Sequence, residues 1–323
     1  MYTRRFYEIP RLSLAPLETP VEPMERLAAA LPGSPGLHIK RDDFIGPLVW
    51  GNKLRKLEYV LARATQEGAD TIITCGAVQS NHARTTAMVA GRLGLKCILV
   101  LNGEEPSVPE RNYRISKMMG ATIKLVPERK DREPGMIEAA EEVKSKGGVP
   151  FLVPLGASDA NGTPGFVQAM FELKSQQEKL GFRFSHIVVS TSSGGTQGGL
   201  EAGKRIAGLH DIKIIGISAD DSSSEIGEKV MAASNPILDF IGIPHLMMED
   251  LTIDDRFTGP GYGIPSPESE RAFDLFLRHE GILLDPTYTG KAAAGLIALI
   301  EEGRFTKSDR VLFWHTGGLV NLF

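Results

Sequence analysis

Apolar runs and amphipathic segments alternate along most of the chain, and one lysine breaks the helical pattern. After position 53 apolar residues recur at Leu54, Leu57, Val60, Leu61 and Ala64, which at about 100° per residue make one helical stripe. Arg55 and Tyr59 project to the opposite face and Lys56 to its border, so that side is expected to meet solvent. Lys53 projects into the stripe itself. Such a lysine either opens the helix with its ammonium reaching water, or it enters a pocket where burial lowers its pKa. A neutral amine of that kind is a nucleophile.

The same periodicities predict strand at 37–40 and then a regular rhythm: strand 71–75, helix 81–93, strand 97–101, helix 111–119, strand 122–126, helix 136–146 and strand 149–154. Residues 156–165 are the densest cluster of turn formers and read as a crossover or a site loop. Beyond them come helix 166–180, strand 186–190, helix 197–209, strand 212–218, a helix at 291–302 and a strand at 311–314. Strand, short loop and helix in alternation mark a parallel sheet covered on both faces. The first 36 residues carry six prolines and little periodicity, and are expected to cross the surface as an irregular lead-in. The predicted fold class is α/β in two units, a smaller one at 54–164 and a larger one from 1–53 and 165–323.

Composition narrows the partners. With 42% hydrophobic and 24% charged residues in 323, the chain has ordinary globular usage and room for two cores. A net charge of −4 carries no nucleic-acid or acidic-membrane signal. No apolar run near the start resembles a signal peptide or a membrane span. Cys75 and Cys97 fall in apolar runs and read as buried free thiols, so a cytoplasmic location is expected. The seven histidines show no metal-ligand spacing, and no metal site is expected.

Several stretches could carry chemistry. From His186 a β-branched run ends in Ser192, Ser193, Gly194, Gly195, Thr196 and Gln197. That turn would expose backbone N–H groups at the positive end of a helix dipole, which suits a phosphate. The Lys-Ser/Thr of a P-loop is absent, and the glycine order is not that of the dinucleotide fingerprint, although Asp220 and Asp221 follow the next strand. The alternative is that the glycines merely pack helix on sheet. Cys75 to Arg84 repeats the strand–turn–helix form with Ser80 or Asn81 at the N-cap; alone it reads as a well-capped helix. Asp285 to Lys291 and His315 to Gly318 end apolar stretches in small polar residues, and Tyr262 sits on a glycine-rich loop.

Taken together, Gly51-Asn52-Lys53-Leu54-Arg55-Lys56-Leu57-Glu58, Gln79-Ser80-Asn81-His82, Ser193-Gly194-Gly195-Thr196, Asp285-Pro286-Thr287-Tyr288-Thr289-Gly290-Lys291 and His315-Thr316-Gly317-Gly318 resemble the D-cysteine desulfhydrase and 1-aminocyclopropane-1-carboxylate deaminase family. The resemblance spans nearly the whole chain. It implies a tryptophan-synthase-β-like fold, pyridoxal 5'-phosphate as cofactor and a homodimer. It implies Lys53 as the Schiff-base lysine. Ser193, Gly194, Gly195 and Thr196 would hold the phosphate, and Asn52 and Asn81 would lie by the cofactor. Ser80 would stand at the substrate carboxylate, with Gln79, Asn81 and His82 nearby and Tyr262 and Tyr288 facing the substrate, and Lys53, or Ser80 paired with a tyrosine, would move the proton. Thr289 and Thr316 would sit near the pyridine nitrogen.

Those two threonines resemble the desulfhydrase type; the deaminase type has Glu and Leu there. A carboxylate beside the pyridine nitrogen makes the ring a strong electron sink, which opening a cyclopropane needs. A neutral hydroxyl suffices when a β-substituent leaves with its own charge. The expected activity is therefore β-elimination from a small amino acid, with D-cysteine giving pyruvate, ammonia and sulfide. The alternatives are L-cysteate sulfo-lyase, which expels sulfite, and 1-aminocyclopropane-1-carboxylate deaminase. A non-catalytic binding protein and a nicotinamide-dependent oxidoreductase are the readings from other classes. Trp50 departs from the family's second glycine and could narrow the pocket.

Overall fold

A computed structural model describes residues 2–16, 18–46 and 51–322. Trp50 lies outside the described residues. In chain order the first half contains α1 (Tyr2–Phe6), β1 (Val21–Pro23), α2 (Glu25–Ala30), β2 (Gly36–Arg41), α3 (Lys53–Gln66), β3 (Thr71–Ala77), α4 (Asn81–Arg92), β4 (Lys96–Asn102), α5 (Arg111–Met118), β5 (Thr122–Val126), α6 (Arg132–Ser145) and β6 (Pro150–Val153). The second half contains α7 (Pro164–Leu180), β7 (His186–Thr191), α8 (Gly195–Ala207), β8 (Lys213–Ser218), α9 (Ser223–Ile241), β9 (Thr252–Asp254), α10 (Pro267–Glu280), α11 (Thr289–Glu301) and β10 (Arg310–His315).

Two sheets form. One has six strands in the order β1-β2-β10-β7-β8-β9, the other four in the order β5-β4-β3-β6. All pairs are parallel except β1 with β2. Parallel strands buried on both faces explain the near-continuous apolar runs at Ile187, Val188 and Val189 and at Val311, Leu312 and Phe313, all 0% exposed. Strand ends carry the consequence for function. The carboxyl ends of β3, β4, β7, β8 and β10 converge on one cleft, as open parallel sheets arrange it.

Two expectations are corrected. The lead-in is not a bare surface crossing: it forms α1, β1 and α2, and Phe6, Met24, Leu27 and Leu31 are buried. These elements are too short to give a readable period. Glu58 also draws in the chain between α1 and β1, accepting from Arg11 Nε at 2.7 Å and from the Leu14 amide at 2.8 Å.

The charged face of α3 is not solvated either. Arg55, Lys56 and Glu58 are 0% exposed and Tyr59 is 5% exposed. Arg55 donates Nε and Nη2 to Asp42 at 2.8 and 2.7 Å and Nη1 to Glu172 on α7 at 2.8 Å. Lys40 joins Glu172 from β2, and Trp314 Nε1 donates to Asp42 from β10 at 2.8 Å. A wheel projection cannot tell a solvated charge from one buried against a partner supplied 117 residues away.

Candidate active site

Lys53 is the first residue of α3, and Gly51 before it runs close against the chain after β10. Gly51 has φ +60°, a Cβ there would stand 3.0 Å from the Thr316 carbonyl oxygen, and the Asn52 amide donates to that oxygen at 3.2 Å. The lysine is thereby aimed into the cleft rather than out of the helix start. Burial lowers its amine from the usual 10.5 to about 8, against the opposing pull of Asp285. The cleft has a volume of about 250 Å³.

Opposite stands the loop between β7 and α8. Gly194 has φ +77°, and a Cβ on it would meet the Lys229 carbonyl carbon at 2.5 Å. A Cβ on Gly195 would lie 2.6 Å from Ser158 Oγ and 2.8 Å from Lys56 Nζ. Only glycine fits either position, and the backbone N–H groups of the first turn of α8 stay open for an anion. Ser193, Gly194 and Thr196 line the cleft; Gly195 is packed behind them. Asn52 Nδ2 donates to Thr196 Oγ1 at 3.3 Å, joining the lysine segment to this loop. Lys56, which gave no sequence signal of a site, lies at its back. Lys56 donates to Gly156 O at 3.2 Å and to Ser158 Oγ at 3.0 Å, and Ser158 Oγ meets Ser193 Oγ at 2.8 Å. Burial first, then the charge of Lys53, lowers the Lys56 amine well below its usual range. Ser190 Oγ and Thr191 Oγ1, both of cleft-lining residues, are buried without a hydrogen-bond partner.

The third wall is the N-terminus of α4. Ser80 is its N-cap and accepts from the Ala83 amide at 3.2 Å, and Ser80, Asn81 and His82 line the cleft. Asn81 Oδ1 is fixed by Asn112 Nδ2 at 2.9 Å. His82 Nε2 lies 2.8 Å from Thr74 Oγ1, whose own proton goes to the Val153 carbonyl. That assigns the imidazole proton to Nε2 and leaves Nδ1 buried and unpartnered. Burial, with Lys53 and Lys56 nearby, keeps the ring neutral. Gln79 does not line the cleft; its side chain accepts from the Tyr113 amide at 3.3 Å and holds the loop to α5.

Tyr262 and Tyr288 close one side with ring centroids 5.8 Å apart and nearly perpendicular planes. Burial and its neighbour push the Tyr288 phenol well above its usual value. Thr316 lines the cleft, whereas Thr289 does not. Thr289 Oγ1 donates to Asp285 Oδ1 at 2.8 Å and accepts from the Asp285 amide at 2.7 Å, so its proton is committed. Asp285 is fully buried and also takes the amides of Thr287 and Thr289, at 3.0 and 2.7 Å.

Sequence reasoning missed Arg84, Asn102, Arg129 and Arg132, which also line the cleft. Arg84 lies in the strand–turn–helix stretch from Cys75, and its position in the first turn of a capped helix is the available signal. Arg129 and Arg132 stand in a charged stretch that reads as surface. Asp220, weighed as a ribose partner, pairs instead with Arg129 at 3.1 Å.

Residues 12–317 match the family model described as pyridoxal-phosphate dependent enzyme. The chain is 39% identical over 320 residues to a 1-aminocyclopropane-1-carboxylate deaminase of Burkholderia cenocepacia strain J2315, covering 96% of this chain and 94% of the relative. A solved structure described as an ACC deaminase homologue superposes with a TM-score of 0.90 at 34% identity, covering 100% of this chain and 96% of the other. A pyridoxal 5'-phosphate-dependent aspartate racemase superposes at 0.70 with 18% identity, covering 98% and 94%, and shares the fold alone.

Proposed function

The chain belongs to the family of pyridoxal-phosphate-dependent enzymes that includes the 1-aminocyclopropane-1-carboxylate deaminases, and on that basis we propose that it catalyses β-elimination on a small β-substituted amino acid. D-cysteine is the leading substrate, giving pyruvate, ammonia and sulfide.

The cleft suits the cofactor. It offers a buried amine lowered to about 8, a glycine turn that opens a helix on the cleft, and hydroxyls at Ser190 and Thr191 that find no partner among the described residues. Pyridoxal phosphate, when bound, supplies an aldehyde for an amine and a ring that draws off the electron pair left by a departing proton. In this reading Ser193, Gly194, Gly195 and Thr196, backed by Lys56, hold the phosphate. Lys53 holds the aldehyde carbon and, once freed, carries the α-proton on Nζ. Asn52 and Asn81 orient the ring. Ser80, with Gln79 and His82 shaping its turn, presents the N-terminus of α4 to the substrate carboxylate. Tyr262 and Tyr288 shut out water beside the reacting carbon.

One observation carries elimination over ring opening. The wall at α11 and β10 offers the Thr316 hydroxyl, while Thr289 lies behind the cleft with its proton on Asp285, and no carboxylate of that wall lines the cleft among the described residues. Neither hydroxyl would hold a proton on a ring nitrogen, which suits departure of a β-substituent that carries its own negative charge. The name of the 39%-identical relative favours 1-aminocyclopropane-1-carboxylate as the second reading. L-cysteate, giving sulfite, is the other, and a guanidinium in the cleft favours it. Pyruvate release by the cofactor-loaded enzyme from D-cysteine, L-cysteine and L-cysteate decides; 2-oxobutanoate from the cyclopropane amino acid alone would reverse the assignment.

We also propose a homodimer acting in the cytoplasm, with 1–53 and 165–323 as the larger, cofactor-binding unit and 54–164 as the smaller. Among the described residues no helix is long and apolar enough to cross a membrane.

A further inference from the structure

Most walls of the cleft have occupants under the β-elimination reading, among them the lysine of α3, the turn before α8 and the N-terminus of α4. A further wall is built by the end of β4 and the start of α6. Asn102 and Arg132 face the cleft there. Arg132 is 8% exposed, and its Nε donates to Asn102 Oδ1 at 2.8 Å while Nη2 donates to the same oxygen. No carboxylate among the described residues pairs with it. Burial lowers its pKa, and its guanidinium lies near enough to Tyr262 and Tyr288 to interact with both phenols.

Arg84 is the second cation of this kind. It is 2% exposed, its Nε and Nη1 have no hydrogen-bond partner among the described residues, and burial alone pushes it down to about 9. The other arginine of the cleft, Arg129, is paired with Asp220. Buried guanidinium groups without a counter-ion cost stability unless a ligand supplies the charge. Two such groups on different walls fit a substrate with two anionic positions. Arg84, beside Ser80 and Asn81, lies toward the α-carboxylate.

We propose that Arg132, oriented by Asn102, is the leaving-group subsite and holds a sulfur anion. The anion is either present in the substrate, as a sulfonate, or formed as the Cβ–S bond breaks, as hydrosulfide. The bonding pair leaves on sulfur, the α-proton passes to Lys53, and the released enamine takes up water to give pyruvate and ammonium. This rests on the β-elimination reading and adds the residue that selects the substituent.

The loaded wild type and Arg132→Met are compared on cysteine, cysteate and 3-chloroalanine, each in both enantiomers, by pyruvate release. Chloride leaves without needing a strong donor. The variant is expected to lose roughly a hundredfold in kcat/KM on whichever sulfur substrate the wild type uses, and less than about threefold on 3-chloroalanine. A loss in KM identifies the sulfonate, whose charge is there on binding; a loss in kcat identifies the thiol, whose charge develops in the transition state. The visible cofactor band and the melting temperature are expected to stay at wild-type values. If the methionine variant does not load, Arg132→Lys serves, with about a tenfold loss confined to sulfur substrates. Equal losses on all three substrates, or none, overturn the subsite. A loaded wild type that makes no pyruvate from any of them sinks the elimination reading as well.

Discussion

Ser158 and Ser193 share a hydrogen bond of 2.8 Å. It joins the loop after β6, on the four-stranded sheet, to the loop after β7, on the six-stranded one. Lys56 donates to the same Ser158 hydroxyl from α3 at 3.0 Å. The anion turn is therefore braced by three elements at once.

Lys56→Met is expected to weaken cofactor binding by ~1.5–3 kcal/mol, the range of a hydrogen bond to a charged group. Apo stability should not fall, because the change removes a buried amine that forms no ion pair with a carboxylate among the described residues. Titration of the apo protein with pyridoxal phosphate, followed by its visible band, measures the first; urea unfolding measures the second.

Gly194→Ala tests the turn itself. The residue has φ +77°, and the new methyl would stand 2.5 Å from the Lys229 carbonyl carbon. The backbone of α9 would have to move, at a cost of ~1–3 kcal/mol. A lowered melting temperature together with weaker cofactor binding is the expected pair of results.

Lys53 makes the apo protein's stability depend on pH. Its amine is lowered from 10.5 to about 8 in the fold, so between those values the unfolded chain binds more protons than the folded one. Stability therefore rises with pH across that window. Below pH 8 both states are protonated, and the full penalty of about 3 kcal/mol applies. Apo Lys53→Met should exceed the wild type in urea midpoint at pH 7, and the gap should close as pH passes 10.

Asp42→Ala tests the support behind the cleft. Arg55 gives Asp42 two hydrogen bonds and Trp314 gives it a third, all within 2.8 Å. Truncation would take one carboxylate away from the buried Arg55 guanidinium, which keeps Glu172 and the Thr19 hydroxyl, at about 3–5 kcal/mol. A fall in the urea midpoint of that size, with the m-value unchanged, is the expected outcome.

What the sequence disclosed depended on the range of the interaction. The strand–helix rhythm from 71 to 218 is a local pattern, and the strand at 122–126 has the observed bounds. Lys53 stood out because it violated a local pattern, and the structure turns it into the cleft. The buried charges of α3 could not be read, because what buries them arrives from β2, α7 and β10. Arg132 was hidden for a related reason: its meaning comes from Asn102 and the opposite tyrosines, not from its own neighbours. Between 219 and 290 the apolar period is too weak to give α9, β9 and α10. Their signals were there in the capping boxes at Ser222–Glu225 and Ser266–Ser269, which mark helix starts even where the apolar period is weak.

The Arg129–Asp220 pair joins the turn before α6 to the turn after β8, and both residues line the cleft. Arg129 is 57% exposed and Asp220 4% exposed, whereas the Arg55–Asp42 pair is fully enclosed at both ends. Water screens the Arg129 end, so this clasp costs less to undo than the enclosed pair. The cleft is thus a door on a cheap latch and a costly hinge. An incoming amino acid can part the clasp without loosening the frame that aims Lys53.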